Sequence, residues 1–208
     1  MTTKILGLAL VFLALGSPAF GGVILSTGPD DGQGNSVGYL HTGSSSQPFD
    51  LLTDSILTSM TISTWMVGLQ GSSSVLTWTF STGAFGDGTV EASGSSTASD
   101  TYNFPVGGYS VYNTTASLPS VDLTAGHYWL TLTSNDPTSS QWVYWGDSAG
   151  ASFGGGQTWI STLPTNVGKD FVLELDGNPT SPEPGTMGLM GLGVAGVFAL
   201  LRRRSSKA

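Results

Sequence analysis

Ser59-Met60-Thr61-Ile62-Ser63-Thr64-Trp65-Met66-Val67-Gly68-Leu69 alternates between two kinds of position. Met60, Ile62, Thr64 and Met66 fall on one set; Thr61, Ser63, Trp65 and Val67 fall on the other. That is the period of two of an extended strand, not the 3.6 of a helix. Val75 to Phe80 repeats it, with Leu76, Trp78 and Phe80 on one face. β-branched and aromatic side chains in this pattern suit half-buried strands.

The same reading extends outward to Val37–His41, Thr89–Ser93, Tyr109–Leu118, His127–Thr133, Gln141–Trp145, Gln157–Thr162 and Lys169–Leu175, about nine strands in all. Within them Tyr128, Leu130 and Leu132 align, as do Phe171, Leu173 and Leu175. Turn chemistry separates the strands: Gly28-Pro29-Asp30-Asp31-Gly32, Gly86-Asp87-Gly88, Asn135-Asp136-Pro137, Gly154-Gly155-Gly156 and Asp176-Gly177-Asn178. No stretch of the middle has helical periodicity and no solenoid or propeller repeat is visible. The expected fold is all-β, an antiparallel two-sheet sandwich with jelly-roll-like connections, because segments such as Ser93 to Asp100 read as loops longer than a hairpin needs.

Composition agrees with one folded domain. The chain has 208 residues, 30 of them Gly, and only 10% are charged, against about 25% in an ordinary soluble domain. Nine Phe, six Trp and six Tyr give it enough apolar surface to offset the entropy of ordering. Lys169 is the one cation between Lys4 and Arg202; against it stand 13 carboxylates from Asp30 to Asp176, which leaves the middle at −12. Such a body repels phosphate backbones, so nucleic acid is not an expected partner. With no cysteine there is no disulfide, thiolate metal site or cysteine nucleophile.

The two ends carry the address. Lys4 precedes an apolar run from Ile5 to Leu15, then Gly16 and the small-x-small sequence Ser17-Pro18-Ala19. This is the layout of a secretory signal peptide, too short for a span, with cleavage expected after Ala19 or near Gly21. At the other end Gly185 to Leu201 is uncharged and glycine-rich, and Arg202-Arg203-Arg204 follows at once. As a helix it just crosses a thin hydrocarbon core, and the arginines keep the tail cytoplasmic with the β body outside. Gly191, Ala195 and Ala199 at four-residue spacing would give that helix a smooth face for close packing.

Pro182-Glu183-Pro184, then the glycine-rich hydrophobic helix, then Arg202-Arg203-Arg204, resembles the PEP-CTERM sorting signal. The resemblance implies recognition and processing by an exosortase, a transpeptidase-like membrane enzyme, and delivery to the cell surface or exopolysaccharide (biofilm) matrix. The two prolines flanking Glu183 also forbid regular helix or strand and hold an extended, accessible segment. Leu123-Thr124-Ala125-Gly126-His127-Tyr128-Trp129-Leu130-Thr131-Leu132 with Trp142 is similar to the β-sandwich ectodomains often attached to this signal, most of which lack known activity. The expected plan is 1–21 signal peptide, 22–177 β-sandwich ectodomain, 178–184 linker with the Pro-Glu-Pro motif, 185–201 transmembrane helix and 202–208 basic cytoplasmic tail.

Chemistry in the middle is sparse. His41 and His127 stand in no nucleophile motif and there is no G-x-S-x-G, so no hydrolytic triad is expected. Glu91, Glu174 and Glu183 are the only glutamates, and Glu183 belongs to the sorting motif, which leaves little for a carboxylate pair. The chain is expected not to be an enzyme and to need no cofactor. Asp30, Asp31 and Asn35 crowd a glycine-rich loop and form a weak calcium candidate beside the reading of a solvated turn. Trp142, Tyr144 and Trp145 are the best candidates to stack on sugar rings of an extracellular polysaccharide; core packing is the competing reading. Asn113-Thr114-Thr115 has the pattern of a glycosylation sequon, read as a surface loop. The leading expectation is a non-catalytic surface or matrix protein; the alternative is a carbohydrate-binding module.

Overall fold

A computed structural model of the chain describes residues 21–32, 38–39, 43–67, 75–134, 143–150, 153–160, 163–166 and 168–180, with residue 193. The expected signal peptide lies outside these residues up to residue 20, and the expected span 185–201 lies outside them except at Gly193. Gly21–Pro179 forms one compact unit; Met1–Phe20 and Thr180–Ala208 fall in a second, of which almost nothing is described.

Among the described residues twelve strands build the first unit: β1 Gly22–Ser26, β2 Gly38–Tyr39, β3 Ser44–Leu51, β4 Ser55–Val67, β5 Val75–Ser81, β6 Val90–Val106, β7 Tyr109–Leu123, β8 Gly126–Ser134, β9 Val143–Trp145, β10 Gln157–Ile160, β11 Leu163–Asn166 and β12 Leu173–Pro179. All pair antiparallel, in the order β1-β12-β4-β7-β6-β5-β8-β3-β10-β11, with β9 joining β2 to β4. The fold is therefore all-β, a curled antiparallel sheet of half-barrel form. The ladder is continuous because β6 serves both halves: residues 90–97 pair with β5 and residues 98–106 with β7.

The segment expected to be a loop, Ser93 to Asp100, is thus the middle of a 17-residue strand. Its alternation escapes a hydrophobicity reading because the inward residues are small. A Cβ on Gly94 would lie 2.6 Å from the Trp78 ring. The Ser96 hydroxyl accepts the Trp78 indole N–H at 3.0 Å and donates to the Ser117 carbonyl at 2.6 Å. Asp176-Gly177-Asn178, read as a turn, also lies within a strand: β12 runs through it to Pro179, with a register shift between Asp176 and Gly177. A side chain at Gly177 would strike the Ile56 carbonyl, so glycine is there for close approach and not for a turn.

One core joins both halves. Met60, Ile62 and Met66 of β4, Phe171, Leu173 and Leu175 at β12, and Trp145 of β9 pack in the same cluster as Phe49, Leu76, Trp78, Phe80, Leu130 and Leu132 of β3, β5 and β8. Phe80 stands edge-on to Phe49 at 6.0 Å. Each large apolar side chain so buried contributes roughly 1.5–3 kcal/mol. Gln47, buried on β3, donates to the Pro48 carbonyl at 2.8 Å and accepts the Phe171 N–H at 2.6 Å, which ties β3 to the lead-in of β12.

Candidate functional site

The turn after β1 is built by Gly28 and Gly32, both at positive φ (105° and 65°). It aims two neighbouring carboxylates in different directions. Asp30 accepts the Gly32 N–H at 2.9 Å, the Ser63 hydroxyl at 2.5 Å and the Trp65 indole N–H at 2.7 Å, which fastens the turn to β4. Asp31 pairs with Lys169 at 2.7 Å, and the same ammonium lies 3.9 Å from buried Asp147. The hydrogen bond that Lys169 donates to Asp31 raises the Lys169 pKa; partial desolvation opposes it and the charges of Asp31 and Asp147 add to it. Asp170, also buried, accepts the N–H groups of Phe153 (2.5 Å) and Gly155 (2.8 Å).

The calcium expectation falls on this knot at Asp30 and Asp31. Both Asp30 oxygens and Asp31 Oδ2 accept from protein donors on different elements, and Asn35 lies outside the described residues. Among the described residues no three His, Asp or Glu side chains are grouped to hold a metal ion. What the arrangement does is structural: it clamps the start of the β body onto β4 and onto the loops around residues 147 and 170.

The aromatic candidates separate. Trp142 lies outside the described residues. Trp145 points into the core at 0% exposure, stacks on Phe171 (4.9 Å, 24°) and donates its indole N–H to the Val172 carbonyl at 2.6 Å. A ring so enclosed cannot meet a sugar, so Trp145 leaves the carbohydrate group. Tyr144, between two inward neighbours, takes the outer face and stands edge-on to Tyr109 at 6.0 Å, which in turn packs on Trp65 at 5.9 Å.

The pairing registers extend this into rows on the outer face. Tyr144, Trp65, Val111 and Phe104 follow one another across β9, β4, β7 and β6, with Trp65 and Val111 buried and Tyr144 and Phe104 half-buried. Two residues along, Ser63, Asn113 and Thr101 form a polar row, and beyond it come Ser26, Glu174, Thr61, Thr115 and Ser99. Sequence reasoning missed the aromatic row because Trp65 occupies the face that its strand's alternation marks as polar.

The remaining candidates do not converge. His127 bonds Asp50 across β8 and β3 (Nδ1 to Oδ1, 2.8 Å) on an exposed face, with Trp129 beside it, and His41 lies outside the described residues. Glu91 and Glu174 stand on β6 and β12, strands that do not pair. Asn113 is exposed, as its sequon requires, but it sits within β7 and not in a loop.

The ends of the β body lie side by side. Gly22 pairs with Gly177, Gly21 faces the Asn178 side chain, and β12 finishes at Pro179. Pro182, Glu183, Pro184, Arg202, Arg203, Arg204 and Ala19 lie outside the described residues. Among the described residues no helix is long and apolar enough to cross a membrane. Body and sequence together define a β domain followed within three residues by a C-terminal address segment.

Residues 182–204 match the PEP-CTERM protein-sorting motif. The chain therefore carries the sorting segment of an exosortase substrate, which implies export and membrane anchoring before delivery to the surface. The match covers the tail alone, and no curated protein matches the chain.

Proposed function

We propose that the chain is a non-catalytic surface or matrix protein whose acidic β body is displayed outside the cell after its sorting tail is processed. The observation that carries this reading is the PEP-CTERM match beginning three residues after the last strand. In this reading residues 1–21 are removed as a signal peptide, 185–201 span the membrane and 202–208 stay cytoplasmic until processing. The body acts as a two-leaf sandwich, one leaf centred on β4 and β7 and the other on β5 and β8, joined through β6. A structural role is supported by the way the polar side chains are used: Asp30, Asp31 and Asp170 hold loops, and His127 bonds a neighbouring strand in the open.

Replacing Pro182, Glu183 and Pro184 together by alanine tests the address. Intact-mass measurement of the protein from the membrane and surface fractions should show the variant retained at full tail length while the wild type is trimmed and released. Identical mass and location would refute the reading. Reporter fusions at residue 208 and between β6 and β7 check the orientation, with the first expected active only inside and the second only outside.

A carbohydrate-binding reading is favoured by one observation, the half-buried pair Tyr109 and Tyr144 on the outer face near exposed Asn113 and Thr101. Aromatic faces flanked by hydroxyl and amide groups suit pyranose rings. Affinity electrophoresis through gels containing the host's exopolysaccharide tests it: retardation should be lost in Tyr109→Ala and Tyr144→Ala, and unretarded wild type removes the reading.

A further inference from the structure

The pairing registers bring the connections β3–β4, β5–β6 and β7–β8 to the end of the body from which both termini leave. Pro179 pairs with Ser55, Ser55 with Leu123, and Leu51 with Gly126. The loop 52–54 therefore lies beside Pro179, and Asp54 accepts the Ala125 N–H at 2.7 Å, joining it to the turn 124–125. Segment 82–89 belongs to the same end, because Ser81 pairs with Trp129 three residues from Gly126. The turn Gly107-Gly108 between β6 and β7 marks the opposite end.

Four large apolar side chains are exposed among the described residues, and three of them gather at the terminal end. Leu52, at 90% exposure, tips the loop 52–54; Val23 (55%) and Val90 (50%) stand a few residues back on β1 and β6. Scattered exposed leucines need no explanation. These three share the end of the molecule from which the tail departs.

Chain length says what lies opposite. From Pro179 to Gly185, where the uncharged stretch begins, there are six residue steps, at most about 20 Å of extended chain. The polar layer of a bilayer takes up roughly 5–7 Å of that on each side. A body on so short a tether holds its terminal end against the membrane while it is anchored.

We propose that this end is a lipid-contacting surface, with Leu52 as the side chain that enters the headgroup–acyl boundary and Val23 and Val90 at its rim. The occupant is a lipid surface and not a protein, because the tether already brings lipid within reach. The acidic groups around it, Asp54, Asp87 and Asp122, repel anionic headgroups and favour a contact with zwitterionic lipid. This proposal rests on the anchored state described above.

The absence of cysteine allows a clean test. Full-length chains bearing Leu52→Cys or Asn103→Cys, each labelled with an NBD fluorophore and carrying the intact tail, are reconstituted into phosphatidylethanolamine–phosphatidylcholine vesicles and floated on a density gradient. Asn103 is exposed near the far end of β6 and serves as the reference. Both chains should float. The label at residue 52 should shift its emission to the blue and be reduced by dithionite several-fold more slowly than the label at residue 103. Equal emission and equal reduction rates on floated protein overturn the lipid contact while leaving the anchor intact. Protein that does not float overturns the anchored state, and the contact with it.

Discussion

Asp100 carries its carboxylate on the inward side of β6, where Oδ1 accepts the Thr114 hydroxyl at 2.6 Å and Oδ2 is buried with no partner among the described residues. Burial raises its pKa above 3.8, and the Thr114 bond offsets only part of that. An acid whose folded pKa is raised costs stability when ionised; the cost holds at neutral pH, falls as pH drops through the folded pKa and is gone below the unfolded value. Asp100→Asn should therefore melt higher than wild type at pH 7, and the gap should close toward pH 3 in thermal scans by circular dichroism. Lys169 has the opposite linkage. Its raised pKa means that the pairing with Asp31 stabilises the fold below about 10.5 and is lost as pH rises through the folded value. Lys169→Met should unfold earlier than wild type at neutral pH, with the difference vanishing in alkaline buffer. Trp145→Ala empties a core position and should cost about 3–5 kcal/mol in urea unfolding, far more than loss of a surface sugar-binding ring would.

Among the elements, those legible in the sequence were the ones whose inward residues are large. Leu76-Trp78-Phe80, Tyr128-Leu130-Leu132 and Phe171-Leu173-Leu175 are all buried as their alternation required. β6 was legible only at its start, since Gly94, Ser96 and Ala98 face Trp78 and Ala116 across the sheet and carry no hydrophobic signal of their own. β3 was missed for a related reason: it buries Ser45, Ser46 and Gln47, whose burial is set by partners far away in the chain. The sorting motif was readable because its information is local, in residue order. The aromatic site was not, since alternation puts Tyr144 and Trp145 on opposite faces without saying which face is inside. The Gly94 environment gives a direct check. Gly94→Ala pushes a methyl into the Trp78 ring and should destabilise by about 1–3 kcal/mol with an altered near-ultraviolet signal, whereas an alanine at neighbouring Ser95, on the outer face, should be nearly neutral.

As a whole molecule, the body has one core shared by both halves of the curled sheet, with β6 and Gln47 crossing between them. Its unfolding should therefore be a single transition, with tryptophan fluorescence and far-ultraviolet dichroism superimposing in urea; separate midpoints would mean that the halves fold independently. The pairing of β1 with β12 bears on timing. Thr27 closes that pairing by bonding the Phe171 carbonyl and the Leu173 backbone across more than 140 residues of chain. A polypeptide threaded outward from its amino end delivers β1 first and β12 last, so the earliest strand to emerge waits for the final one before it acquires a neighbour. Closure of the body thus coincides with arrival of the sorting segment at the membrane, and an incompletely translocated chain is left with an unfinished edge.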